Sequence, residues 1–450
     1  MKKLPFLIRG MKKTLNLSLT LSLVSFSGFS QNIDISKLDT YFDMLSSNNR
    51  FMGSVAIAQG DKLIYSKSVG FSNVEQGLKT SENSKYRIGS ITKTFTAVLT
   101  LKAVEESKLS LNQTIDKWFP TIGNAGKITI EHLLYHRSGL HNHMDELVNS
   151  NRHTQPITEK EMIEVIIKGG NDFEPDAKTA YSNPNYILLT YILEKIYEKS
   201  FSKILEEKIT IPFGLKNTYL RGKINTQNGE CNSYNFINNS WGLAPEFDVS
   251  QAIGAGAITS TPTDLVAFSH LLFSGKLISE NSLTKMKTIK DHLGIGLIQI
   301  PFYDKTGFGH TGGIDGFRSV FAYFPTNDIS FAYTSNGMNF NGNDISIAVL
   351  SIALDKPFDI PEFTTYELTD EDLDRYQGIY SSKQLPLKMT IIKANNQLFG
   401  QGTGQPSFPL EATAKDKFEF KQAGVILEFN STDKTMILRQ GGGIFNFERE

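Results

Sequence analysis

Residues 86–104 read Tyr-Arg-Ile-Gly-Ser-Ile-Thr-Lys-Thr-Phe-Thr-Ala-Val-Leu-Thr-Leu-Lys-Ala-Val. From Phe95 onward the apolar residues predict an amphipathic helix that begins near Ser90. Ser90 and Lys93 are three positions apart, so on a helix their Cβ atoms lie about 5–6 Å from each other on one face. A lysine amine whose pKa is lowered by burial can accept the proton of a serine hydroxyl. The stretch therefore predicts Ser90 as a nucleophile and Lys93 as its general base.

A second motif, Tyr181-Ser-Asn183, follows about 90 residues later. A tyrosine beside an ammonium group can have its pKa lowered toward phenolate, so Tyr181 is predicted as a general acid/base and an alternative base for Ser90. Asn183 offers an amide that could orient Lys93 and bind a substrate carbonyl. The alternative interpretation is a half-buried aromatic residue followed by a helix that starts at Asn183.

A third motif is His310-Thr311-Gly312-Gly313. Glycines let a strand approach a ligand closely, so the whole motif is predicted to bind substrate. The backbone N–H groups of Gly313 and Ser90 would form an oxyanion hole. His310 would add a hydrogen-bond donor near the substrate carboxylate or the leaving group. The alternative interpretation is a glycine-rich turn before a strand.

The order of the three motifs resembles the serine β-lactamase and penicillin-binding protein superfamily, and within it the branch of class C β-lactamases, D,D-peptidases and esterases. Residues 128–140 and 254–265 are similar to signature stretches of that family. The resemblance implies a sheet domain with an inserted helical subdomain, an active site at their junction, and an acyl-enzyme on Ser90. Class C β-lactamases have lysine where this chain has His310. Histidine is typical of the peptidases, amidases and esterases, and near neutral pH it is only partly charged.

Strand patterns at 51–75 and 318–335 enclose helical patterns, for example at 158–168 and 184–199. This arrangement predicts an α+β fold in which both ends of the unit share one antiparallel sheet flanked by helices. Short alternating stretches beyond residue 376 predict a small C-terminal all-β barrel, similar to lipocalin-like domains appended to such hydrolases. The predicted boundaries are a signal peptide (1–30), a hydrolase domain (31–354), a linker (355–369) and the β domain (370–450).

Composition and charge exclude several classes of protein. The 46 Lys and Arg residues balance 47 Asp and Glu residues, which gives no electrostatic case for nucleic acid binding. No apolar run reaches the roughly 18 residues that a membrane-spanning helix needs. Cys231 is the only cysteine, so neither an internal disulfide nor a zinc site of several cysteines is possible. Neither a metal nor a cofactor is predicted.

The first 30 residues have the pattern of an export signal. Lysines precede a short apolar stretch that ends in small residues, which predicts a periplasmic or extracellular protein. His141 and His143, with Asp145 and Glu146, have the residue types of a metal cluster. Their segment has no strand pattern, so a solvated loop is predicted there.

The sequence thus predicts a secreted serine hydrolase that acts on an amide or ester, such as a D-amino-acid peptide, a β-lactam or a small ester. The sequence leaves two alternatives open. One is a penicillin-binding sensor or ligand-binding protein that has the fold but little turnover. The other is a protein whose main role lies in its β domain. The partner of the hydrolase would be a small molecule or a peptide.

Overall fold

The computed structural model describes residues 33–144, 147, 152–220, 222–237, 239–361, 363, 366, 368–394 and 397–450. The predicted signal peptide lies outside them. In this part of the chain the helices are α1 (Ile35–Ser47), α2 (Thr92–Glu105), α3 (Ile130–Leu134), α4 (Glu159–Gly169), α5 (Asn183–Tyr197), α6 (Phe201–Leu205), α7 (Val249–Gly256), α8 (Pro262–Phe273), α9 (Glu280–Lys287), α10 (Gly342–Ala353) and α11 (Asp370–Asp374).

Between residues 33 and 354, strands from both ends of the segment share one sheet, as predicted. The strands of this segment are β1 (Phe51–Gln59), β2 (Lys62–Val69), β3 (Phe71–Asn73), β4 (Leu78–Lys79), β5 (Tyr86–Arg87), β6 (Tyr234–Ile237), β7 (Ser240–Leu243), β8 (Thr259–Ser260), β9 (Ile298–Phe302), β10 (Lys305–Ile314), β11 (Phe317–Phe324) and β12 (Ile329–Met338). The main sheet has the order β2-β1-β12-β11-β10-β9, and β1 pairs antiparallel with β12. The β6–β7 hairpin, which the sequence analysis did not predict, pairs with the C-terminal end of β12, where Tyr234 is opposite Gly337.

Helices cover both faces of this sheet because its strands carry apolar residues on alternate sides. On β11, Phe321 belongs to the core formed with α2 and α8, whereas Val320 and Ala322 belong to the core formed with α1 and α10. Phe95 of α2 stacks on Phe268 of α8, with ring centroids 3.8 Å apart. This packing holds the start of α2 against the sheet.

The helical subdomain lies between β5 and β8 in sequence. Helices α3 to α6 contribute to the same buried core as α2. α2 is buried on nearly every side, since it contacts α5, α6 and α7 and shares a hydrophobic core with Phe321 of the sheet. The predicted inserted helical subdomain is therefore present, and the start of α2 lies where it meets the sheet.

The C-terminal strands close into a barrel, in agreement with the predicted all-β unit. They pair in chain order from β13 to β20, and β20 closes on β13. The barrel strands are β13 (Gly378–Ser381), β14 (Lys388–Ala394), β15 (Gln397–Gly402), β16 (Phe408–Ala414), β17 (Lys417–Phe420), β18 (Val425–Asn430), β19 (Thr435–Gln440) and β20 (Gly443–Arg449). Arg50, before β1, forms a bidentate ion pair with Glu411 of β16.

Among the described residues, no helix is both long enough and apolar enough to cross a membrane. Cys231 is buried as a free thiol.

Candidate active site

Ser90 lies in a short 3₁₀ turn, Gly89–Ile91, that leads directly into α2. The backbone at Gly89 has a φ of +51°, and a Cβ there would lie 2.6 Å from the backbone nitrogen of Gly313. Only glycine fits this position without strain or a clash. The turn therefore presses against the strand that carries the third motif.

The amine of Lys93 lies within hydrogen-bond distance of Ser90 and of two oxygen acceptors. Its Nζ is 3.0 Å from Ser90 Oγ, 2.8 Å from Asn183 Oδ1 and 2.6 Å from the carbonyl oxygen of Ala255. The side chain has no exposed surface, and burial lowers its pKa well below the usual range. A neutral amine has two hydrogens and one lone pair. Because Asn183 Oδ1 and the Ala255 carbonyl can only accept, the lone pair is left for the Ser90 hydroxyl.

Asn142 fixes the orientation of the Asn183 amide. Its Oδ1 accepts hydrogen bonds from both the backbone nitrogen and Nδ2 of Asn183, each at 3.1 Å. This leaves Asn183 Oδ1 facing Lys93, as the sequence analysis expected of an orienting amide.

The hydroxyl of Tyr181 donates a hydrogen bond to Ser90 Oγ at 2.8 Å. Although 38% of the Tyr181 surface is exposed, burial of its phenol group raises the pKa above the ordinary value. The shift runs opposite to the lowering considered from sequence, because desolvation disfavours the phenolate. The geometry fits a protonated phenol that can act as an acid.

The third motif lies within strand β10, not in a turn before a strand. A Cβ on Gly312 would lie 2.0 Å from the carbonyl oxygen of Ile88, so the backbone of β10 contacts the chain just before Ser90. The Gly313 nitrogen adjoins Gly89, and Thr311 is exposed. The N–H group of Gly313 is thus close to the backbone of the turn that carries Ser90.

His310 is buried and neutral. Burial, with a smaller effect from Lys93, lowers its pKa to about 4 even though a hydrogen bond to Thr311 acts in the opposite direction. Its Nδ1–H donates to the Thr311 carbonyl oxygen at 2.6 Å. The expected partial charge and free donor are therefore missing, and Nε2 presents a lone pair.

Other sequence candidates do not gather into a site. The Ser-x-x-Lys spacing of Ser90 and Lys93 recurs at Ser200–Lys203, Ser282–Lys285 and Ser431–Lys434. The lysines of these three segments are exposed, whereas Lys93 is buried. His141 pairs with Asp172 at 3.0 Å. No group of residues in the described ranges has the composition of a metal site, and Asp145 and Glu146 lie outside those ranges.

Comparison with known proteins identifies the family. A family model described as Beta-lactamase matches residues 43–354 of this 450-residue chain. The chain belongs to the beta-lactamase family. This confirms the resemblance stated from sequence and, with it, the prediction of a serine hydrolase.

Curated proteins that are similar to this chain have low sequence identity to it. Penicillin-binding protein 4* of Bacillus subtilis is 24% identical over 90% of this chain and 96% of its own length. Teichoic acid D-alanine hydrolase of Staphylococcus aureus is 28% identical over 54% of this chain, and the match spans only 56% of that protein.

Solved structures share the fold. D-amino acid amidase from Ochrobactrum anthropi superposes with a TM-score of 0.64 at 22% identity, covering 71% of this chain and 99% of the amidase. The octameric penicillin-binding protein homologue from Pyrococcus abyssi has a TM-score of 0.65 at 21% identity, covering 92% of this chain and 100% of that one. The second match extends beyond the part of the chain assigned to the beta-lactamase family.

Sequence reasoning did not single out three groups that support the motifs of this beta-lactamase family member. They are Asn142, the Ala255 carbonyl and His136, which stacks on Tyr181. His136 and Ala255 lie in the two stretches that resemble family signatures, which was the available signal. No sequence signal pointed to Asn142, because its partner Asn183 is 41 residues away.

Proposed function

We propose that this protein is an exported serine hydrolase that forms an acyl-enzyme on Ser90 and cleaves an amide or ester of a D-amino acid derivative. The observation that carries the proposal is the position of Ser90 Oγ, 3.0 Å from Lys93 Nζ and 2.8 Å from the Tyr181 hydroxyl. One group is suited to remove a proton from the nucleophile, and the other to deliver one.

In the acylation step, Ser90 Oγ attacks the substrate carbonyl carbon while its proton moves to the lone pair of Lys93 Nζ. The negative charge on the carbonyl oxygen is stabilised by the N–H groups of Ser90 and Gly313. The bond to the leaving nitrogen or oxygen then breaks. Tyr181 donates a proton to that atom, and the Lys93 ammonium, whose Nζ lies 4.9 Å from the centroid of the Tyr181 ring, returns a proton to the phenolate.

In the deacylation step, a water molecule attacks the ester carbonyl of the acyl-enzyme. The Lys93–Tyr181 pair accepts the water proton, and the Ser90–acyl bond breaks with return of a proton to Ser90 Oγ. The products are the free acid and the original enzyme, so no external reactant besides water is required.

The names of the relatives support a D-amino acid substrate. They include a teichoic acid D-alanine hydrolase, a D-amino acid amidase and a D-stereospecific amidohydrolase. His310 argues against a β-lactam as the main substrate. A neutral histidine attracts a substrate carboxylate less strongly than the lysine of class C β-lactamases does. Efficient β-lactam hydrolysis is accordingly not part of the proposal. Export is proposed from the N-terminal sequence pattern alone.

Covalent labelling tests the proposal. The protein is incubated with a fluorophosphonate and with a fluorescent penicillin, followed by intact mass and peptide mapping. Hydrolysis of D- and L-aminoacyl p-nitroanilides and p-nitrophenyl esters is measured in parallel. We expect an adduct on Ser90, faster turnover of the D series, and loss of both in Ser90→Ala. Ser431→Ala, in an exposed Ser-x-x-Lys segment, is the matched control and should behave as wild type.

Two results would contradict the proposal. Unchanged hydrolysis by a folded Ser90→Ala variant would remove the nucleophile assignment. A Ser90 adduct that persists with every substrate tested would instead favour the sensor alternative.

A further inference from the structure

A cavity of about 580 Å³ opens beside Ser90. Among the described residues its lining includes Asn183 and Gly313 but neither Tyr181 nor His310. The proposed function assigns the leaving group to the side of Tyr181. Because Tyr181 does not line the cavity, the cavity is where the acyl part of the substrate would be held.

Part of the wall is apolar. Met144, Phe247, Ala252 and Ile314 face the cavity, and Phe247 and Ala252 are buried members of one small hydrophobic cluster. These side chains offer no hydrogen bond. They suit an aliphatic segment in the acyl group.

The one carboxylate in this lining, as far as the chain is described, is already paired within the protein. Asp315 Oδ1 accepts from the Phe247 backbone nitrogen at 2.8 Å, and Oδ2 lies 3.3 Å from Arg87 Nη1. The Asp315 side chain is only 1% exposed. It therefore offers little to a substrate cation.

Arg318, by contrast, is a cation without an ion pair to any described carboxylate. It lies across from Gly313 in the β10–β11 pairing. A Cβ on Gly313 would be 3.7 Å from both Cδ and Nη1 of Arg318, so the arginine side chain passes over this glycine at the cavity. Its Nη1 donates to the carbonyl oxygens of Phe317 and Asp315 at 2.7 and 3.2 Å. Nε and Nη2 have no hydrogen-bond partner in the described part of the chain and could bind a ligand.

His153 provides a second polar group that the mechanism does not use. The side chain is 8% exposed and lines the cavity, and its ring packs on Phe247 at a centroid distance of 5.2 Å. Its buried Nδ1 has no hydrogen-bond partner among the described residues. Burying such a group is unfavourable unless something binds it.

We infer that this cavity holds an acyl group with an aliphatic segment and a terminal carboxylate, and that Arg318 binds this carboxylate. The inference rests on the proposed function, because that function decides which part of the substrate enters the cavity. An arginine–carboxylate contact that is lost on substitution typically lowers affinity by about tenfold to a hundredfold. Arg318 is thus a specificity-determining residue, separate from the groups that transfer protons.

Two esters of equal chain length test the inference. Mono-p-nitrophenyl glutarate ends in a carboxylate, and p-nitrophenyl pentanoate ends in a methyl group. The measured quantity is the ratio of their kcat/KM values, which does not depend on the amount of active enzyme. We expect wild type to favour the glutarate and Arg318→Gln to lower the ratio about tenfold or more. Arg318→Lys should retain part of the preference, because it keeps the charge but loses the planar fork.

Arg439→Gln is the matched control, since it removes an arginine from barrel strand β19 and should leave the ratio unchanged. An equal ratio in wild type and Arg318→Gln, or a wild-type preference for the pentanoate, would overturn the inference.

Binding without turnover separates this inference from the proposed function. Glutaryl-p-nitroanilide is titrated calorimetrically into Ser90→Ala and into Ser90→Ala/Arg318→Gln. If wild type cleaves neither these two esters nor the D-aminoacyl substrates, but binding depends on Arg318, the proposed function fails and the carboxylate site stands. Equal binding by the two variants, or no binding by either, contradicts the carboxylate site whatever the hydrolysis assay shows.

Discussion

The imidazole ring of His136 lies flat against the phenol ring of Tyr181, with centroids 4.5 Å apart and planes inclined by 26°. His136 Nδ1 accepts a hydrogen bond from the backbone nitrogen of Ser182 at 3.1 Å. Burial lowers the His136 pKa well below the usual range. A neutral His136 therefore holds Tyr181 both by its ring face and through the next residue along the chain.

Two substitutions separate these effects. His136→Phe keeps a flat ring but cannot accept from Ser182, whereas His136→Gln can accept but cannot stack. We expect each variant to lower kcat by about tenfold to a hundredfold, with a smaller change in KM, because a proton donor displaced by about 1 Å is inefficient. Steady-state kinetics with the preferred ester measures this. His270→Phe on α8 is the control, and full activity of both His136 variants would disprove the positioning role.

Lys93 and Tyr181 should behave as one proton-transfer unit, because both contact Ser90 Oγ. Lys93→Ala and Tyr181→Phe should each reduce kcat/KM by roughly a thousandfold or more, and the double variant should lose little beyond the worse single variant. The three variants are compared on one ester after circular dichroism has shown that each is folded. Multiplicative losses would mean that the two residues act in independent steps.

The Ser90–Lys93 pair could be predicted because it depends on local geometry. Three positions on a helix set the distance between the side chains, and the apolar pattern from Phe95 indicates the helix. The shared sheet could be predicted for a similar reason, since alternating patterns mark its strands. The β6–β7 hairpin was not predicted, and its Ile237 and Leu243 are largely exposed, so the usual burial pattern is weak.

The charge states of Tyr181 and His310 could not be predicted from sequence, whereas the lowered pKa of Lys93 was expected. The shifts at Tyr181 and His310 are dominated by burial, which arises only when β10, α2 and α5 pack together. The orientation of Asn183 depends on Asn142, and the Arg318 side chain passes over a glycine on a neighbouring strand. These contacts join segments whose separation along the chain follows no regular pattern, so the sequence does not predict them.

Gly312 provides a steric test of the approach between β10 and the Ser90 turn. In Gly312→Ala the added Cβ would lie 2.0 Å from the Ile88 carbonyl oxygen and 2.4 Å from Ser319 Oγ, so the strand must move away. We expect kcat/KM to fall by about a hundredfold, because oxyanion stabilisation is sensitive to the position of Gly313. Gly222→Ala, where a Cβ would have no neighbour within 4 Å, is the control. Equal activity of the two variants would contradict the proposed oxyanion hole.

His310 should make the folded state sensitive to acid. Its pKa is about 4 in the folded protein and about 6.5 in the unfolded chain. Between these values the unfolded state binds the extra proton, so the free energy of unfolding falls as the pH is lowered from 6.5 toward 4. At pH 5 this amounts to about 2 kcal/mol relative to pH 7.5, at 1.36 kcal/mol per pH unit.

Urea unfolding of wild type and His310→Gln at pH 7.5 and pH 5 measures the effect. The loss between the two pH values should be smaller in His310→Gln by about 2 kcal/mol. Asp315, whose pKa burial raises to about 6, changes stability in the opposite direction over part of this range. Asp315 is present in both proteins, so its effect on the free energy of unfolding largely cancels in the comparison. Equal losses would show that His310 is not buried as a neutral residue.

The ion pair between Arg50 and Glu411 connects the hydrolase part to the barrel and should contribute to stability. The two side chains are 11% and 28% exposed, and the guanidinium also lies 5.0 Å from the centroid of the Phe363 ring. Glu411→Gln leaves the arginine largely buried without its charged partner. We expect the free energy of unfolding to fall by about 1–3 kcal/mol, less than for a fully buried pair.

Glu428→Gln is the matched control for Glu411→Gln. Glu428 pairs with Arg439 within the barrel, at 3.1 Å, but these side chains are 37% and 41% exposed. An exposed pair of this kind contributes about 0–1 kcal/mol.

Thermal unfolding compares the two variants, and limited proteolysis reports cleavage in the predicted linker, residues 355–369. Faster cleavage should appear only in Glu411→Gln, because only that substitution weakens the contact between the barrel and the hydrolase part. Equal unfolding and cleavage in the two variants would mean that the ion pair does not help to hold the barrel against the hydrolase part.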